Sequence, residues 1–359
     1  MTLQTAPAVD TLRVEPGLLA RAGEALRALR VTGRAFVIAD DNVMPHHGRA
    51  LIASLDRAGY EPSARAVPGV EASKSLATAT ELFGWLAEHR AERRDVVVAL
   101  GGGVVGDLAG FVAATYLRGM ALVQVPTTLI AQVDSAIGGK VAVNLPVGKN
   151  LVGAWHLPVA ILVDPLVVGT LPRRQVVAGW TETIKHALLM DGALLDRIEA
   201  NVDALLRLEP AITAEVVERS ARLKVAVVEE DPREQGRRII LNYGHTIGHA
   251  LEAAAGFDRY HHGESVAVGL VGAAEIGRAI GVTPPALVER QRALLERFGL
   301  PTSAVGVELD QLRAAMRLDK KVEGRVQRWV LLRDLGDPIV HRDVPDEVVE
   351  HVLRRLVRP

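Results

Sequence analysis

The sequence predicts a two-domain α/β protein, in which a parallel sheet flanked by helices is followed by a helical domain. The chain has 359 residues, and two domains are the usual outcome at that length. Its first half alternates short apolar runs with helical patterns, whereas its second half is dominated by long amphipathic patterns. We place the boundary near Leu171 and Pro172, which gives domains of residues 1–171 and 172–359.

The first half has the pattern of a parallel, Rossmann-like sheet. Helical patterns, such as Leu18–Arg30 and Ser73–His89, separate short continuous apolar runs, which is typical of a parallel sheet buried on both faces. The strands are predicted at Ala35–Ala39, Asp95–Leu100, Ala121–Val125 and Ala160–Val163.

From Arg173 onward strand-like runs are scarce, and an all-α domain is predicted. The apolar stretch Val266–Val282 contains Glu275 and Arg278, so it indicates a buried helix and not a membrane span. The helices are predicted at Leu194–Leu208, Ile212–Glu230, Val266–Ile280 and Pro285–Phe298.

Composition excludes several classes of function. The 42 basic and 43 acidic residues give a formal net charge of −1, so neither a nucleic-acid footprint nor a polybasic membrane patch is expected. The chain has no cysteine, so a bound metal must use His, Asp or Glu. Residues Met1–Pro16 lack a basic region followed by an apolar core, which leads us to expect a cytoplasmic protein without a signal peptide.

A glycine-rich segment, Gly101–Asp107 (GGGVVGD), follows one predicted strand and opens a helical pattern. Glycines at such a turn let the backbone approach a phosphate closely, and the helix N-terminus supplies N–H donors. The spacing differs from the G-x-G-x-x-G pattern of ordinary dinucleotide folds. The alternative is a tight turn that binds nothing, but three consecutive glycines cost much chain entropy.

Histidines cluster in the second half. His245 and His249 are four residues apart and share a helix face, and a His-His-Gly-Glu segment follows at His261–Glu264. Upstream, Glu182 and Lys185 are three apart on another predicted helix. One carboxylate with two imidazoles is a common catalytic zinc set. The alternative is a group of surface or hydrogen-bonded core histidines.

Basic residues beside Gly or Asn form a third signal. Such cations suit a pocket for phosphate or carboxylate groups, although each taken alone is more often a solvated surface charge. They are Arg118, Lys140, Lys149, Arg237–Arg238 and Lys320–Lys321.

These residues resemble the 3-dehydroquinate synthases. The resemblance extends from the predicted sheet to near the C-terminus, in long blocks that keep the family's order. The blocks are Gly101–Gly119, Gln124–Asn150, Glu182–Lys185, Glu229–Glu252, His261–Gly269 and Asp319–Leu332.

The resemblance implies an NAD-binding domain over residues 1–171, a helical metal- and substrate-binding domain over 172–359, and an active site between them. It also implies a homodimer and an anionic sugar-phosphate substrate, 3-deoxy-D-arabino-heptulosonate 7-phosphate. The products are 3-dehydroquinate and phosphate, in the second step of the shikimate pathway to aromatic amino acids. The route comprises transient oxidation, phosphate elimination, reduction and an intramolecular aldol reaction.

The resemblance assigns Glu182, His245 and His262 as ligands of zinc, with cobalt or iron also compatible with such donors. This differs from the spacing argument, which pairs His249 with His245 on the metal. In the family, the histidine at the position of His249 contacts the substrate.

The resemblance also implies a substrate pocket rich in charge. Arg118 matches an arginine that reaches the phosphate across the dimer, and either Lys320 or Lys321 matches a phosphate-binding lysine. The other matched positions are Asp134, Lys140, Asn150, Lys185, Lys224, Glu234, Arg238, Asn242 and His249.

For NAD, the matched positions lie mostly in the glycine-rich segment and after the predicted strands. They are Asp40, Asn42, Glu71, Lys74, Gly102, Gly103, Val104, Asp107, Thr127, Thr128, Lys140, Lys149 and Thr170.

Three positions depart from the family's pattern, namely Gln175, Trp180–Thr181 and Leu157. None is among the implied metal ligands, so they bear on cofactor affinity and not on the class of reaction.

Related activities remain as alternatives. Other sugar-phosphate cyclases form 2-deoxy-scyllo-inosose, valiolones or aminodehydroquinate. The pair Arg238 and Asn242 favours a carboxylate substrate and disfavours the first two, whereas the amino analogue stays open. An iron-dependent alcohol dehydrogenase would release NADH and would not need Lys140. A binding protein without activity is disfavoured because Glu182, His245 and His262 would be costly to bury without a metal.

Overall fold

The computed structural model describes residues 11–256, 259–323 and 327–358. The chain divides into two compact units: unit 1 comprises Met1–Leu171 and Leu208–Arg233, and unit 2 comprises Pro172–Arg207 and Glu234–Pro359. The first change of unit coincides with the predicted boundary at Leu171 and Pro172. Residues 208–233 differ from the prediction, because they return to unit 1.

Unit 1 contains a six-stranded parallel sheet in the order β1-β8-β5-β4-β2-β3, numbered along the chain. The parallel α/β fold predicted from sequence is therefore confirmed, and all four predicted strands are present. The strands are β1 (Leu12–Val14), β2 (Ala35–Asp40), β3 (Ser63–Val67), β4 (Val96–Gly101), β5 (Ala121–Pro126) and β8 (Ala160–Val163).

Both faces of this sheet are covered by helices. Side chains alternate between the faces of a strand, so Phe36 and Ile38 of β2 join one apolar cluster, and Ala35 and Val37 join another. Every residue of β4 is buried, which explains its uninterrupted apolar sequence. The helices of unit 1 are α1 (Ala22–Ala28), α2 (Arg49–Arg57), α3 (Leu76–Glu88), α4 (Gly103–Thr115) and α8 (Pro210–Glu230).

A two-stranded antiparallel hairpin is added to unit 1, formed by β6 (Lys140–Leu145) and β7 (Gly148–Trp155). Every residue of β7 is partly or largely exposed, so this strand lacks the continuous buried apolar run that marks the central strands. The sequence pattern did not predict it for that reason.

Unit 2 is rich in helices but is not all-α, which corrects the prediction. A β-hairpin joins β10 (Trp329–Asp334) to β11 (Asp337–His341), and the two-residue strands β9 (Ala304–Val305) and β12 (Val357–Arg358) also pair. The helices are α5 (Arg173–Met190), α6 (Gly192–Ala200), α7 (Val202–Leu206), α9 (His245–Ala254), α10 (His262–Ala279), α11 (Pro285–Arg297), α12 (Leu309–Glu323) and α13 (Asp346–Leu356).

Helices α5, α9 and α10 pack with unusually close backbones. A Cβ atom on Gly263 of α10 would lie 1.9 Å from the carbonyl oxygen of Ala178 in α5. A Cβ atom on Gly269 would lie equally close, at 1.9 Å, to the carbonyl oxygen of Gly244, which immediately precedes α9. Any side chain at these two positions would force the three helices apart.

The start of α10 is capped by Glu264. Its carboxylate accepts a hydrogen bond from the backbone N–H of His261 at 2.8 Å and forms a two-pronged ion pair with Arg174 at 2.6 and 2.7 Å. Burial raises the pKa of Glu264, but the hydrogen bonds from Arg174 and His261 outweigh burial and lower the pKa below its usual value.

Glu264→Gln is expected to lower the free energy of unfolding by about 1 kcal/mol at pH 7, the typical effect of losing a helix cap. Because the folded-state pKa is depressed, the carboxylate's contribution is fully present above the unfolded pKa and is lost as pH falls through the folded pKa. Urea unfolding at pH 7 and at pH 4 should therefore show the difference between parent and variant shrinking at the lower pH. A difference that is the same at both pH values would contradict this prediction, and Glu81→Gln, at an exposed position on α3, is the control.

Among the described residues, none of the helices is both long and apolar enough to cross a bilayer.

Candidate functional site

Three side chains from three helices of unit 2 converge on one point. Glu182 lies in the middle of α5, while His245 and His262 are the first residues of α9 and α10. The Nε2 atoms of His245 and His262 lie 3.7 and 3.6 Å from the Oε1 atom of Glu182. The close backbones of these helices, described above, bring the three groups together.

This geometry fits a metal ion. Two ligand atoms about 2.1 Å from a tetrahedral zinc ion lie roughly 3.4 Å apart, close to both observed separations. Glu182 is fully buried and forms an ion pair with Lys185, yet neither of its carboxylate oxygens accepts a hydrogen bond within the part of the chain that the structure describes. Since a buried carboxylate without hydrogen bonds is costly, a cation at this point would compensate it.

The ionisation of Glu182 and His245 also suits a cation. Burial raises the pKa of Glu182, but Lys185 and the two histidines hold it well below its usual range. Burial and the nearby Lys185 lower the pKa of His245. Burial lowers the pKa of His262 as well, but the nearby carboxylates of Glu182 and Glu252 prevail and raise the pKa to about 10, so a metal ion bound at Nε2 would displace the second proton of this ring. Glu182 is therefore an anion, and His245 is a neutral imidazole, as metal binding requires.

A second set of contacts holds each histidine ring by its other nitrogen. The Nδ1 atom of His245 lies 3.1 Å from the carbonyl oxygen of Tyr243, and the Nδ1 atom of His262 lies 3.0 Å from a carboxylate oxygen of Glu252. If both Nδ1 atoms donate, then both Nε2 atoms present lone pairs toward Glu182. Glu252 was absent from the predicted site, although it lies seven residues after His245, on the same face of a helix.

His249 lies beside this triad. Its ring centroid is 5.1 Å from that of His245 and 6.0 Å from that of His262, and the residue is exposed. Glu182 and His245 are buried and His262 is partly buried, whereas His249 is exposed. The spacing argument that paired His245 with His249 on the metal does not describe this arrangement, because the ligand atoms that converge with Glu182 are those of His245 and His262.

Unit 2 also holds a buried arginine. Arg238 is only 3% exposed and lies in the 3₁₀ turn Arg237–Asn242 that precedes α9. At the end of this turn, the side-chain amide of Asn242 donates a hydrogen bond to Glu234 at 2.9 Å. Glu234 adopts a left-handed backbone conformation with φ 55°, which is uncommon for a residue with a side chain.

In unit 1 the predicted cofactor residues follow the carboxyl ends of the parallel strands. The sheet order reverses between β2 and β4, and ligands of open α/β sheets bind at such a reversal. The glycine-rich segment follows β4 there and opens α4, whose N-terminus supplies unpaired N–H groups. Residues predicted for NAD end or follow five strands: Asp40 and Asn42 (β2), Glu71 and Lys74 (β3), Gly102, Gly103, Val104 and Asp107 (β4), Thr127 and Thr128 (β5), and Thr170 (β8).

A polar network joins several of these residues. The ammonium of Lys74 donates to Asp107 at 2.7 Å and to the side chain of Asn150 at 2.6 Å. Glu71 accepts from Asn144 at 2.8 Å, and the Lys149 ammonium lies 3.6 Å from the same oxygen. Burial raises the pKa of Asp107 even though Lys74 opposes the shift. The network therefore connects the helix that follows the glycine-rich segment to the β6–β7 hairpin.

The return of α8 to unit 1 brings two further predicted residues together. The ammonium of Lys224, on α8, donates to the carbonyl oxygen of Asp134 at 2.7 Å and to its carboxylate at 2.5 Å. These two residues are 90 positions apart in the chain.

Some predicted residues stand apart from these groups. Arg118 is exposed and follows the C-terminal end of α4, so it is about 20 Å from the glycine-rich end of that 13-residue helix. Lys140 begins β6 and places its ammonium 5.5 Å from the ring centroid of Trp155. The side chains of Lys320 and Lys321 lie outside the described residues.

The three departures from the family's pattern have separate surroundings. Trp180 is fully buried and packs against Phe298, with ring centroids 6.2 Å apart. Leu157 lies against Gly139, where a Cβ atom would come within 2.6 Å of the leucine side chain. Gln175 occupies the first turn of α5.

Comparisons with known proteins agree on one family. The model of the 3-dehydroquinate synthase N-terminal region matches residues 64–178, and that of the C-terminal region matches residues 179–322. A 3-dehydroquinate synthase of Symbiobacterium thermophilum is 48% identical over 348 residues, covering 96% of this chain and 97% of its own. Another, of Gloeobacter violaceus, is 43% identical and covers 96% of this chain and 95% of its own.

Solved structures share the whole architecture. A 2-epi-5-epi-valiolone synthase of Streptomyces hygroscopicus, with NAD⁺ and Zn²⁺ bound, aligns with a TM-score of 0.89 at 27% identity, over 99% of this chain and 97% of that one. A 2-deoxy-scyllo-inosose synthase in complex with carbaglucose-6-phosphate, NAD⁺ and Co²⁺ aligns with a TM-score of 0.87 at 28% identity, over 96% of both chains. A butanol dehydrogenase of Thermotoga maritima, at 16% identity and a TM-score of 0.71, shares the fold alone.

Proposed function

Since the chain belongs to the 3-dehydroquinate synthase family, we infer that it converts 3-deoxy-D-arabino-heptulosonate 7-phosphate to 3-dehydroquinate and phosphate. The observation that carries this function is the triad of Glu182, His245 and His262, which would supply the metal site of a cyclase without using cysteine. The reaction comprises transient oxidation of a secondary alcohol, elimination of phosphate, reduction and intramolecular aldol closure.

The choice among cyclases rests on identity and on charge. Relatives with the 3-dehydroquinate synthase activity reach 48% identity, whereas the valiolone and inosose synthases stand at 27% and 28%. The substrate of the proposed reaction carries a carboxylate. The buried Arg238, whose planar fork matches a carboxylate, favours such a substrate.

The cofactors are NAD and a divalent metal, zinc or cobalt. When bound, they supply a hydride acceptor and a Lewis acid that polarises the alcohol oxygen. Glu182, His245 and His262 would hold the metal. The segment Gly102–Asp107 at the N-terminus of α4 would hold the cofactor's phosphates through its N–H groups.

Substrate groups would be positioned by charges that the fold already orders. Arg238 would bind the carboxylate. The side-chain NH₂ group of Asn242 donates a hydrogen bond to Glu234, and the amide oxygen of Asn242 is directed away from that hydrogen bond. Lys140, Asn150, His249 and one of Lys320 and Lys321 would contact the phosphate or the sugar hydroxyls. The leaving phosphate can take the proton itself, so the chain needs only to bind and orient it.

The remaining assignments are part of the same proposal. The reaction would make the enzyme a phosphorus–oxygen lyase of aromatic amino acid biosynthesis, and we propose that it works in the cytoplasm. Arg118 is exposed and lies about 20 Å from the glycine-rich end of α4. It would complete the phosphate site of a partner subunit in a homodimer.

The proposed function predicts chelator-sensitive phosphate release. With substrate and catalytic NAD⁺, phosphate should accumulate in many-fold excess over the cofactor, without net build-up of NADH, because reduction restores the cofactor in each turnover. Treatment with a chelator should abolish release, and added Zn²⁺ or Co²⁺ should restore it. Phosphate assay and NADH absorbance are followed in the same reaction.

Steady accumulation of NADH from an alcohol, without phosphate release, would instead assign the chain to the dehydrogenases that share its fold. Phosphate release that persists after complete metal removal would contradict the role of the triad.

A further inference from the structure

Glu252 lies next to the metal triad without belonging to it. It follows His245 by two helical turns on α9, and its carboxylate oxygen lies 3.0 Å from Nδ1 of His262 on α10. The Glu252 side chain is 16% exposed and that of His262 is 33% exposed, so the contact is partly shielded from water. A hydrogen bond to a charged carboxylate is stronger in such a position than on the surface.

The two histidines of the triad are held in different ways. The ring of His245 is oriented by a backbone carbonyl, that of Tyr243. The position of this carbonyl is set by the chain itself, because the N–H of Tyr243 is hydrogen-bonded to Ile240. The ring of His262 is oriented by a side chain from another helix. Its geometry therefore depends on the identity of residue 252, whereas that of His245 does not depend on any one neighbouring side chain.

We propose that Glu252 is a positioning residue for the metal: it holds the proton of His262 on Nδ1, turns Nε2 toward Glu182, and increases the basicity of the ring. A carboxylate on the outer nitrogen of a ligating histidine fixes its tautomer and orientation, and it strengthens the bond to the metal. The inference rests on the proposed metal site and adds to it a residue to which neither the spacing of the histidines nor the family resemblance assigned a role.

Two substitutions separate the components of this role. Glu252→Gln keeps the length of the side chain and an oxygen acceptor but removes the charge. Glu252→Ala removes both. Glu289→Gln, on α11 with its side chain 64% exposed, removes a carboxylate outside the cluster and is the matched control.

The measurement is the affinity for Zn²⁺, obtained by competition between the metal-free protein and a chromogenic chelator, with no substrate present. We expect Glu252→Ala to bind Zn²⁺ about 10- to 100-fold more weakly than the parent, the usual effect of losing such a partner. Glu252→Gln should lie between the two, and Glu289→Gln should match the parent. The thermal unfolding midpoint of the metal-free protein identifies any variant whose fold is disturbed.

The proposal would be overturned if Glu252→Gln and Glu252→Ala both bound Zn²⁺ with the same affinity as the parent. If Glu252→Ala fails to fold, Glu252→Gln decides alone, and parent-like affinity in it overturns the role of the charge. Failure of the metal assignment itself is distinguished by Glu182→Ala. Stoichiometric zinc in Glu182→Ala would show that the metal site itself is wrongly assigned. Loss of zinc from Glu182→Ala, together with parent-like affinity in the Glu252 variants, would reject only the role of Glu252.

Discussion

Replacing His262 with alanine is expected to remove stoichiometric zinc from the purified protein and to lower kcat/KM by about 1,000-fold or more. The triad offers one ligand atom per residue, so this variant leaves a carboxylate and one imidazole to hold the ion. Lewis-acid stabilisation of developing charge is worth several kcal/mol, and about 4 kcal/mol corresponds to a factor of roughly 1,000 in rate. Metal analysis and steady-state kinetics of phosphate release measure the two effects.

The control for this variant is His351→Ala, which removes an exposed histidine on α13. It should retain both zinc and activity. A His262→Ala protein with full zinc occupancy would show that His262 is not a ligand, whatever its activity. Added Zn²⁺ at high concentration is expected to restore part of the activity if the two remaining ligands still bind weakly.

Arg238→Ala is expected to raise the barrier expressed in kcat/KM by about 2–5 kcal/mol, because the substrate carboxylate would lose its charged partner in a buried site. That range corresponds to about a 30-fold to several-thousand-fold loss. Arg238→Lys should recover only part of the loss, since an ammonium lacks the two-pronged geometry of the guanidinium. The neighbouring Arg237 is exposed, and Arg237→Ala should stay close to the parent.

The role of Arg238 as the carboxylate's partner has a more specific test. A substrate analogue without the carboxylate should react slowly with the parent and at nearly the same rate with Arg238→Ala, so that the two changes are not additive. An unchanged specificity constant of Arg238→Ala toward the natural substrate would remove this role from Arg238.

Apolar periodicity was sufficient to predict the central sheet. Strands β2, β4, β5 and β8 are buried on both faces, so their sequences are continuously apolar and stand out from the helices between them. The strands β6, β7 and β11 have partly exposed faces, and their patterns resemble those of loops. Strand β10 does carry a short buried apolar run, Trp329–Leu332, which was not predicted as a strand. The helix predicted at 194–208 is two helices, because Asn201 adopts a non-helical conformation between them.

Periodicity also cannot say which unit a helix belongs to. The pattern of α8 shows an apolar face but not the surface that this face contacts, and the helix was predicted with the second domain. Similarly, spacing along one helix suggested His245 with His249, but the triad takes one member from each of three helices. Glu182 and His262 are 80 positions apart in the chain, so only the resemblance to a family indicated their pairing before the structure did. Glu252 was overlooked although its spacing from His245 was visible.

The path of the chain between the two units has a consequence for synthesis on the ribosome. The chain leaves unit 1 after Leu171, returns at Leu208 and leaves again after Arg233. Unit 1 therefore lacks α8, and with it the ammonium that neutralises Asp134, until residue 233 has emerged from the exit tunnel. Neither unit is a contiguous module that could be expressed by cutting the gene once. A fragment ending at Leu171 would present the apolar surface that α8 covers and would be prone to aggregate.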